Sequence, residues 1–453
     1  MTLPVDLTDL SRGELLRIIY AQKDEFDLLS AQFAELRAQV NAQGPKSKDP
    51  PSWAKPNTNT KKQKERKQRD HGFARKLDMP TKRVIHSLDR CPDCNGRLGK
   101  PVVSSARQII DIPVSPVEIT QHIIYKRWCF HCKKQRKPRV DFSPVVVGKQ
   151  RIGIRLMSMI TVLREACRQP AAGIQRYLLL THGVSISKGE LIALLHTTAG
   201  KGASQYDHLK DAIRGSPHIH GDETGGRENG KNGYWWSFNT KNVHYLIYRK
   251  SRGRQVVEEV LGDAFNGVLS SDFYAAYNTY AGFHQRCWVH YLRDIHGITE
   301  EYPKDKRLHR WAAKIHALYE DAKQYVGPDQ CLPLGIQTQQ RIHQQKQYED
   351  QLRALCMPWV KTETPMSTLA ARAITFLQEL FVFIRYPGIP SDNNAAERVI
   401  RHLVISRKIS GGTRSSRGSQ TKAILSSLFG TWRLQNKNPF QECQLLLAGV
   451  SGD

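Results

Sequence analysis

Three acidic residues in unlike sequence settings could act together on a phosphate ester. Asp222 lies in PHIHGDETGG, Asp272 in GVLSSDFYAAYN and Glu397 in SDNNAAERVIR. Three convergent carboxylates can hold two divalent cations roughly 3.5–4 Å apart, and such a pair stabilises both oxygens of an in-line phosphoryl displacement. Hard oxygen ligands suit Mg²⁺, and also Mn²⁺. The three acids therefore predict a site for two Mg²⁺ or Mn²⁺ ions.

The segments around Asp222 and Asp272 have the pattern of a strand-rich core. HIHGDET, YWWSFNT and VHYLIYRK predict three successive strands, GRQVVEEVLGDAF predicts a helix, and NGVLSSD predicts a further strand that ends in Asp272. This order indicates an RNase H-like layered α/β core, in which both aspartates can project at one site. Glu223 follows Asp222, but strand alternation directs it to the opposite face of the sheet.

Glu397 belongs to a predicted helix. Pro390 begins the helical pattern, with Ser391 or Asp392 as the cap, and AAERVIRHLVI continues it. Asp392 and Glu397 are five residues apart, about 140° around a helix, so Asp392 is better explained as a cap than as a second ligand. From the residues alone, Glu397 is either a metal ligand or an exposed carboxylate paired with Arg401 at the next turn.

Two CxxC motifs predict a structural metal site. CPDC occupies 91–94 and CFHC occupies 129–132. Two such knuckles complete a tetrahedral Zn²⁺ site, whereas a redox dithiol would account for only one motif. RQIIDIPV and VEITQHIIYKRW, two β-like runs between the motifs, predict a hairpin that brings the knuckles together. The predicted zinc ligands are Cys91, Cys94, Cys129 and Cys132.

Cys287 and His290 form a third motif, CWVH, fifteen residues beyond Asp272. The two side chains could share one helical face, but two ligands do not close a zinc site. We interpret them as supporting residues beside the acids and give Arg401 the same role.

The charge of the chain indicates a polyanionic partner. Lys and Arg number 68 against 42 Asp and Glu, a formal charge of +26, and neutralising nucleic-acid phosphates releases condensed counterions. Residues 44–83 hold thirteen Lys and Arg against four Asp and Glu with few apolar residues, which is typical of a solvated linker or of a basic arm that orders on DNA. The candidate DNA contacts in this arm are Lys61, Lys62, Lys64, Arg66, Lys67 and Arg69.

RKISGGTRSSRGSQTK, near the carboxyl end, places cations among Gly and Ser. Backbone N–H groups of a Gly-rich loop and nearby cations suit phosphate contact, and a flexible solvated loop is the alternative. The candidate contacts are Arg407, Lys408, Arg414, Arg417 and Lys422.

Helical periodicity dominates three further segments. Residues 11–40 carry a heptad pattern with Gln22 at its one polar position, which predicts either a coiled coil that pairs two protomers or a helix packed on its own chain. GIQRYLLLTHGVSISKGELIALLHTTA reads as helix, turn and helix with Ser187 as a cap, typical of a DNA-reading helix-turn-helix or of any αα-hairpin. Between His290 and Ser391, about a hundred residues predict a helical insertion.

The predicted organisation is multidomain. It comprises a helix or coiled coil (1–43), a basic linker (44–83), a β-hairpin zinc module (84–145), a helix-turn-helix-like domain (150–213), the first part of the α/β core (214–300), a helical insertion (301–388) and the core's carboxyl-terminal part (389–453). No apolar run approaches the roughly 20 residues of a membrane span, the amino terminus lacks a signal-peptide pattern, and an odd number of cysteines argues against a disulfide framework. We therefore expect a cytoplasmic protein with no membrane role.

Taken together, these motifs resemble the DDE transposases of the insertion sequence 66 family, and the resemblance covers nearly the whole chain. It rests on the early helix, the basic linker, CPDC…CFHC, DET, DFYAAYN, RCWVHYLRD and, most specifically, SDNNAAERVIRHLVISRKISGGTRSSRGSQT. By that resemblance, Asp222, Asp272 and Glu397 match the catalytic acids. One departure is RDHGFARKL, where the family often has a GQPGH-like sequence, and it puts any shared role of that stretch in doubt.

The resemblance implies a prokaryotic, nucleoid-associated enzyme that cuts transposon ends with Mg²⁺ and joins them to target DNA. The expected partners are double-stranded DNA, as terminal inverted repeats and target, and a second copy of the chain in a homodimer. Two alternatives remain: a non-catalytic zinc and helix-turn-helix regulator, and a metal-dependent nuclease that cuts without joining.

Overall fold

The computed structural model describes residues 31, 79–110, 117–263, 265–327 and 338–450. The predicted coiled coil lies outside these residues except for Ala31, and so do the six candidate DNA contacts of the basic arm. The chain divides between Ile112 and Pro113 into two units. The predicted zinc module spans this division, so its two halves are described separately.

In the first unit, the described residues 79–110 contain one tight turn around the first CxxC motif. The Cys91 N–H donates to the Gly96 carbonyl at 3.1 Å, and the Asn95 N–H donates to the Cys91 carbonyl at 2.9 Å. An isolated bridge pairs Arg90 with Arg97 across this turn. The remainder of 79–110 forms no helix or strand.

The second unit begins with a short antiparallel hairpin, strands β1 (Arg127–Cys129) and β2 (Lys134–Arg136), which flanks the second CxxC motif. The described residues 107–110 and 117–126 of the two predicted β-like runs form no strand, whereas Arg127 and Trp128 belong to β1. Residues 111–114 of the first run lie outside the described residues. An alternating apolar pattern stabilises a strand only where one face is buried. Here Ile109 is 81% exposed and Ile119 is 90% exposed.

Four helices follow the hairpin, as the periodicity predicts: α1 (Ile154–Glu165), α2 (Ala171–His182), α3 (Lys188–Lys201) and α4 (Ala203–Arg214). Helix α2 ends at Gly183, which adopts the left-handed conformation that favours glycine. The predicted cap at Ser187 is confirmed, since its side chain accepts the Glu190 N–H at 3.0 Å. Met157, Leu178 and Leu195 are buried in one core with residues of the carboxyl-terminal helices.

A mixed sheet, five-stranded over the described residues, forms the centre of the second unit. Its members are β3 (His218–Glu228), β4 (Lys231–Asn239), β5 (His244–Arg249), β6 (Val268–Ser271) and β7 (His284–Arg286), in the order β5-β4-β3-β6-β7. The first three strands are antiparallel, β6 runs parallel to β3, and β7 runs parallel to β6. Helix α5 (Gln255–Leu261) connects β5 to β6, so the predicted order of three strands, helix and strand is confirmed.

The β3–β4 hairpin is longer than the sequence pattern indicates. Asn229 and Gly230, both with positive φ, form its two-residue turn, the Asn-Gly signature of a tight β-hairpin. Gly225, Gly226 and Gly233 of GGRENGKNG therefore lie in strands, and Gly230 lies in the turn.

The segment between β7 and the last three helices is helical, as predicted for the insertion. It contains α6 (Trp288–Glu301), α7 (Lys306–Val326), α8 (Thr338–Cys356), α9 (Ser367–Thr375) and α10 (Val382–Arg385), with a 3₁₀ turn at Met357–Trp359. These helices share a core of their own in which Trp311, Leu352 and Phe381 are buried.

Three helices complete the chain: α11 (Asn394–Ser410), α12 (Ser416–Leu434) and α13 (Pro439–Ala448). Helix α11 packs on β3 and β4, and α12 packs on β5. The expectation of a long loop over RKISGGTRSSRGSQTK is wrong, because only Gly411–Ser415 connects the two helices. Thr413 pairs with Glu228 of the β3–β4 hairpin, and the Ser415 side chain caps α12 at the Gly418 N–H, so small polar residues begin a helix here.

Candidate active site

Asp222 occupies the middle of β3, opposite Ser237 of β4. One of its carboxylate oxygens, Oδ1, accepts the Glu223 N–H at 2.8 Å. Burial, and then the negative charges of Glu223, Asp272 and Glu397, raise the pKa of Asp222 to about 8. The charges of Asp272 and Glu397 therefore both act on Asp222, although the described residues include no group of three or more His, Cys, Asp or Glu arranged to hold a metal ion.

Asp272 follows the last residue of β6, the strand parallel to β3. Its Oδ1 accepts the Tyr274 N–H at 2.9 Å, and its carbonyl oxygen accepts Arg286 Nη1 at 2.8 Å. Arg286 is buried and also donates to Glu379 Oε2 at 2.6 Å. A buried, paired arginine thus fixes the backbone that carries Asp272.

Glu397 lies in the first turn of α11, where the helix dipole favours a carboxylate. Its Oε1 is 3.4 Å from His290 Nε2 and 3.7 Å from Arg293 Nη2, and its side chain is 40% exposed. Arg401 is exposed and forms no ion pair with Glu397 in the described structure. Glu397 therefore faces α6, which carries the CWVH motif, rather than its own helix.

Asn393 joins α11 to the strand that carries Asp222. Its side-chain oxygen is 2.8 Å from His220 Nδ1, and its amide nitrogen donates to the Gly221 carbonyl at 2.8 Å. Its backbone N–H donates to Cys287 Sγ at 3.1 Å. Asn393 is only 2% exposed, so these three contacts fix the start of α11 against β3 and α6.

The sequence interpretation did not single out Asn393, although the polar run SDNN precedes the helix. The predicted cap at Ser391 or Asp392 is wrong, because α11 begins at Asn394 with Asn393 in the N-cap position and no side chain caps it. Asp392 lies before the helix and accepts the Asn394 N–H at 2.9 Å. Burial raises the pKa of Cys287 to about 11, so this thiol stays neutral and serves as a hydrogen-bond acceptor. Cys287 thus accepts a hydrogen bond from the Asn393 backbone, and His290 contacts the Glu397 carboxylate.

Glu223 is held by partners of its own. It forms an ion pair with Arg252 at 2.7 Å and accepts the Tyr277 hydroxyl at 2.8 Å. Gly221, two residues earlier, faces the same tyrosine, since a Cβ there would lie 3.0 Å from its ring. Glu223 therefore points to the sheet face opposite Asp222, as strand alternation predicts.

The candidate DNA contacts near the carboxyl end occupy different environments. Arg407 is half-buried on α11 and donates to Thr224 Oγ1 at 3.2 Å, while Lys408, Arg414 and Arg417 are exposed. Lys422 forms an ion pair with Glu165 at 2.9 Å, and their side chains are only 13% and 4% exposed. Lys422 is thus engaged inside the protein rather than presented to DNA.

Each CxxC motif has the local geometry of a knuckle. The Cys132 N–H donates to Cys129 Sγ at 3.4 Å, and this backbone contact lowers the pKa of Cys129. In the other motif, the backbone N–H of Cys94 lowers the pKa of Cys91. Both shifts favour the thiolate form that binds metals. Over the described residues, no group of three or more His, Cys, Asp or Glu is arranged to hold a metal ion.

Comparison with known protein families identifies two regions. The family model described as "Transposase IS66 family" matches residues 149–421, more than half of the chain. The model described as "zinc-finger binding domain of transposase IS66" matches residues 89–133. No curated protein matches the chain significantly. None of the described helices combines the length and apolar character of a membrane span. The chain therefore belongs to the IS66 family of transposases.

Proposed function

We propose that this protein is a DDE-type DNA transposase that uses Asp222, Asp272 and Glu397 to cleave transposon ends and to join them to target DNA. Family membership supports a transposase, and the electrostatics of Asp222 support a site built from these acids. The strand order β5-β4-β3-β6-β7, with three antiparallel strands and then two parallel ones, agrees with an RNase H-like core.

The observation that carries the proposal is the cluster of carboxylates around a buried aspartate. Asp272 comes from the end of β6 and Glu397 from the start of α11, yet the charges of both, together with that of Glu223, raise the pKa of Asp222 on β3. Like charges are held this close only when a cation or a proton compensates them. An all-oxygen donor set of this kind fits Mg²⁺ or Mn²⁺.

Glu397 would join such a site by exchanging partners. Its contacts with His290 and Arg293 are solvent-accessible, and surface ion pairs of this kind contribute about 0–1 kcal/mol. Exchange of these contacts for a divalent cation therefore costs little. When bound, two such cations would stabilise the negative charge that develops on a phosphodiester and lower the pKa of water.

The remaining chemistry belongs to the chain's own residues. Asp222 would hold a divalent cation as an anionic ligand, because the positive charge would offset the burial and the neighbouring carboxylates that raise its pKa. Arg286 fixes the backbone at Asp272, and Asn393 fixes the helix that carries Glu397. These rigid attachments hold the three carboxylates ready for a phosphodiester, which is how positioning lowers a reaction barrier.

DNA binding is proposed for three regions. The basic arm, with Lys61 to Arg69, and the zinc module supply the positive charge that phosphates require. The proposed ligands of a structural Zn²⁺ are Cys91, Cys94, Cys129 and Cys132. The pKa values of the Cys91 and Cys129 thiols are lowered, and this fits thiolate ligands. Helices α2 and α3, joined by residues 183–187, are the proposed DNA-reading pair.

Homodimerisation is proposed through the heptad pattern of residues 11–40.

The test is cleavage of DNA that carries the element's terminal repeats. Asp222→Asn should reduce Mg²⁺-dependent strand cleavage at least about 100-fold, the order of loss that follows removal of one key electrostatic group, and should leave DNA affinity unchanged. Asp211→Asn, at an exposed position of α4, is the matched control and should cleave like the wild type. Full cleavage by Asp222→Asn would refute the assignment of this residue.

A further inference from the structure

A pocket of about 120 Å³ lies where helices α1, α11 and α12 meet the start of β5. None of the three acids lines this pocket. A cavity of about 150 Å³ holds a ligand of the size of benzene, so the pocket suits a ligand of about four to six non-hydrogen atoms. The polar residues of its lining are Glu165, His244, His402, Lys422, Ser426 and Arg433.

The carboxylate in this lining is compensated by partners of its own. Lys422 Nζ lies 2.9 Å from Glu165 Oε2, and the Ser426 hydroxyl donates to the same oxygen at 2.8 Å. Glu165 and Lys422 therefore add little net charge to the pocket. The net charge depends on the other side chains of the lining.

Arg433 supplies a positive charge that no carboxylate offsets. Although this residue is exposed, the surrounding protein lowers its pKa, and the charge of Arg168 lowers it further. No acidic residue acts in the opposite direction. The pocket is therefore positive on the side where Arg433 lies, and it favours an anionic ligand.

His402 gives the pocket a neutral ring. Burial and the charges of Arg433 and Arg168 lower the pKa of His402 to about 4. At neutral pH the ring is therefore uncharged and has one N–H to donate. The same two arginines thus act on His402 and on each other.

His244 adds a buried donor. The Ser237 hydroxyl lies 3.1 Å from its Nε2 and can donate there, which leaves the ring proton on Nδ1. Nδ1 has no hydrogen-bond partner in the described structure, although the Ser426 backbone acts on the pKa of the ring. Gly430 keeps space beside this atom, because a Cβ there would collide with Nδ1. A buried polar atom without a partner calls for an explanation, and a bound acceptor provides one.

We propose that this pocket binds one small oxyanion, a phosphate or a short carboxylate, through the Arg433 guanidinium and the ring N–H groups of His402 and His244. Arginine pairs with such oxyanions through two parallel N–H donors. The negative charge offsets the repulsion between Arg433 and Arg168. Since the lining joins α1, α12 and β5 to α11, the bound anion stabilises the packing of the helix that carries Glu397. This ligand site is independent of the catalytic assignment, because none of the three acids lines it.

Isothermal titration calorimetry of the full chain with sodium phosphate, at neutral pH and at an ionic strength held constant with chloride, measures this binding. The wild type should show a saturable site. Arg433→Gln removes the charge, and His402→Phe keeps a ring but removes its nitrogen donors. Each should weaken phosphate binding about tenfold, as expected for loss of a charge-assisted hydrogen bond.

The same titration with sodium acetate distinguishes the two classes of oxyanion. Tighter binding of phosphate assigns the site to phosphate, and tighter binding of acetate assigns it to a carboxylate. Either result supports the proposed site if the same two variants weaken the binding.

Matched controls are Arg155→Gln, at an exposed arginine of α1, and His316→Phe, at an exposed histidine of α7. Neither residue lines the pocket, and both variants should bind phosphate like the wild type. If His402→Phe fails to fold, as judged by circular dichroism, Arg433→Gln at its exposed position decides alone. Wild-type affinity in the pocket variants, or no saturable binding of either anion by the wild type, would overturn the anion site.

Discussion

Asp222 is a buried carboxyl group surrounded by other carboxylates, and this environment decides its protonation. Its pKa of about 8 means that, without a cation, most of the group is protonated at neutral pH. Burial is the largest cause, and the charges of Glu223, Asp272 and Glu397 add to it. Ionisation of Asp222 therefore lowers the stability of the folded protein. Strongly shifted pKa values of this kind are common at functional sites.

This environment predicts a pH-dependent effect on stability. The pKa of Asp222 rises from 3.8 in the unfolded chain to about 8 in the folded protein. The contribution of the protonated Asp222 to the free energy of unfolding is therefore fully present below pH 3.8 and is lost as the pH rises to 8. Asp222→Asn cannot ionise, so its unfolding free energy should exceed that of the wild type by an amount that grows between pH 5 and 9, to the order of a few kcal/mol.

Urea unfolding without divalent cations measures this difference, and added Mg²⁺ should reduce it by stabilising only the wild type. A difference between variant and wild type that stays constant from pH 5 to 9 would contradict the raised pKa.

At the scale of elements, the start of α11 connects the helix that carries Glu397 to the strand that carries Asp222. Asn393 links this helix to Gly221 and His220 of β3 and to Cys287 before α6. Its side chain thereby sets the distance between the strand that carries Asp222 and the helix that carries Glu397.

Asn393→Ala should therefore destabilise the protein by about 2–4 kcal/mol, because it leaves the Gly221 carbonyl and His220 without partners in a buried place. Asn394→Ala, one residue later, keeps the backbone contact with Asp392 and should cost less than about 1 kcal/mol. Chemical denaturation of both variants checks this. Equal losses of unfolding free energy in the two variants would show that the Asn393 side chain does not fix α11 against β3.

Most elements of the second unit could be predicted from the sequence, because their apolar periodicity reflects a real buried face. The strands around Asp222 and Asp272 and helix α7 are examples. The strand prediction failed at Ile109 and Ile119, because these apolar side chains are exposed. The loop prediction failed in RKISGGTRSSRGSQTK, because a composition rich in Gly and Ser did not prevent a helix there. In that segment Ser415 caps α12, and the same helix continues beyond it with Ala423 and Ser427 buried.

Side-chain partnerships could be predicted less well than elements. The three acids and CWVH stood out by residue type, whereas Asn393 and Arg286 act through contacts with residues distant in the chain. Such contacts depend on tertiary packing, which one sequence does not encode in any local pattern.

At the scale of the whole molecule, the chain carries a formal charge of +26 and two CxxC motifs, while Asp222, Glu223, Asp272 and Glu397 all belong to the second unit. A positive charge of this size fits the proposed binding of DNA. The zinc module is the part of this organisation that a simple composition measurement can test.

Purified protein should contain one zinc ion per chain by elemental mass spectrometry. Cys94→Ser should lose most of it, because removal of one of four thiolates opens the tetrahedral site. Cys167→Ser is the matched control, an exposed cysteine outside both motifs, and should retain the full amount. Full zinc content in Cys94→Ser would exclude the proposed ligand set.

Joining of pre-cut ends to a target plasmid in Mg²⁺ tests transposition most directly, because it separates a transposase from a nuclease and from a DNA-binding regulator. The wild type and Arg401→Gln, at an exposed residue that forms no ion pair with Glu397 in the described structure, should form joined products. Asp222→Asn and Glu397→Gln should form none while they still bind the ends. Joined products from Asp222→Asn at the wild-type rate, or none from the wild type on its own ends, would contradict a three-carboxylate transposase site.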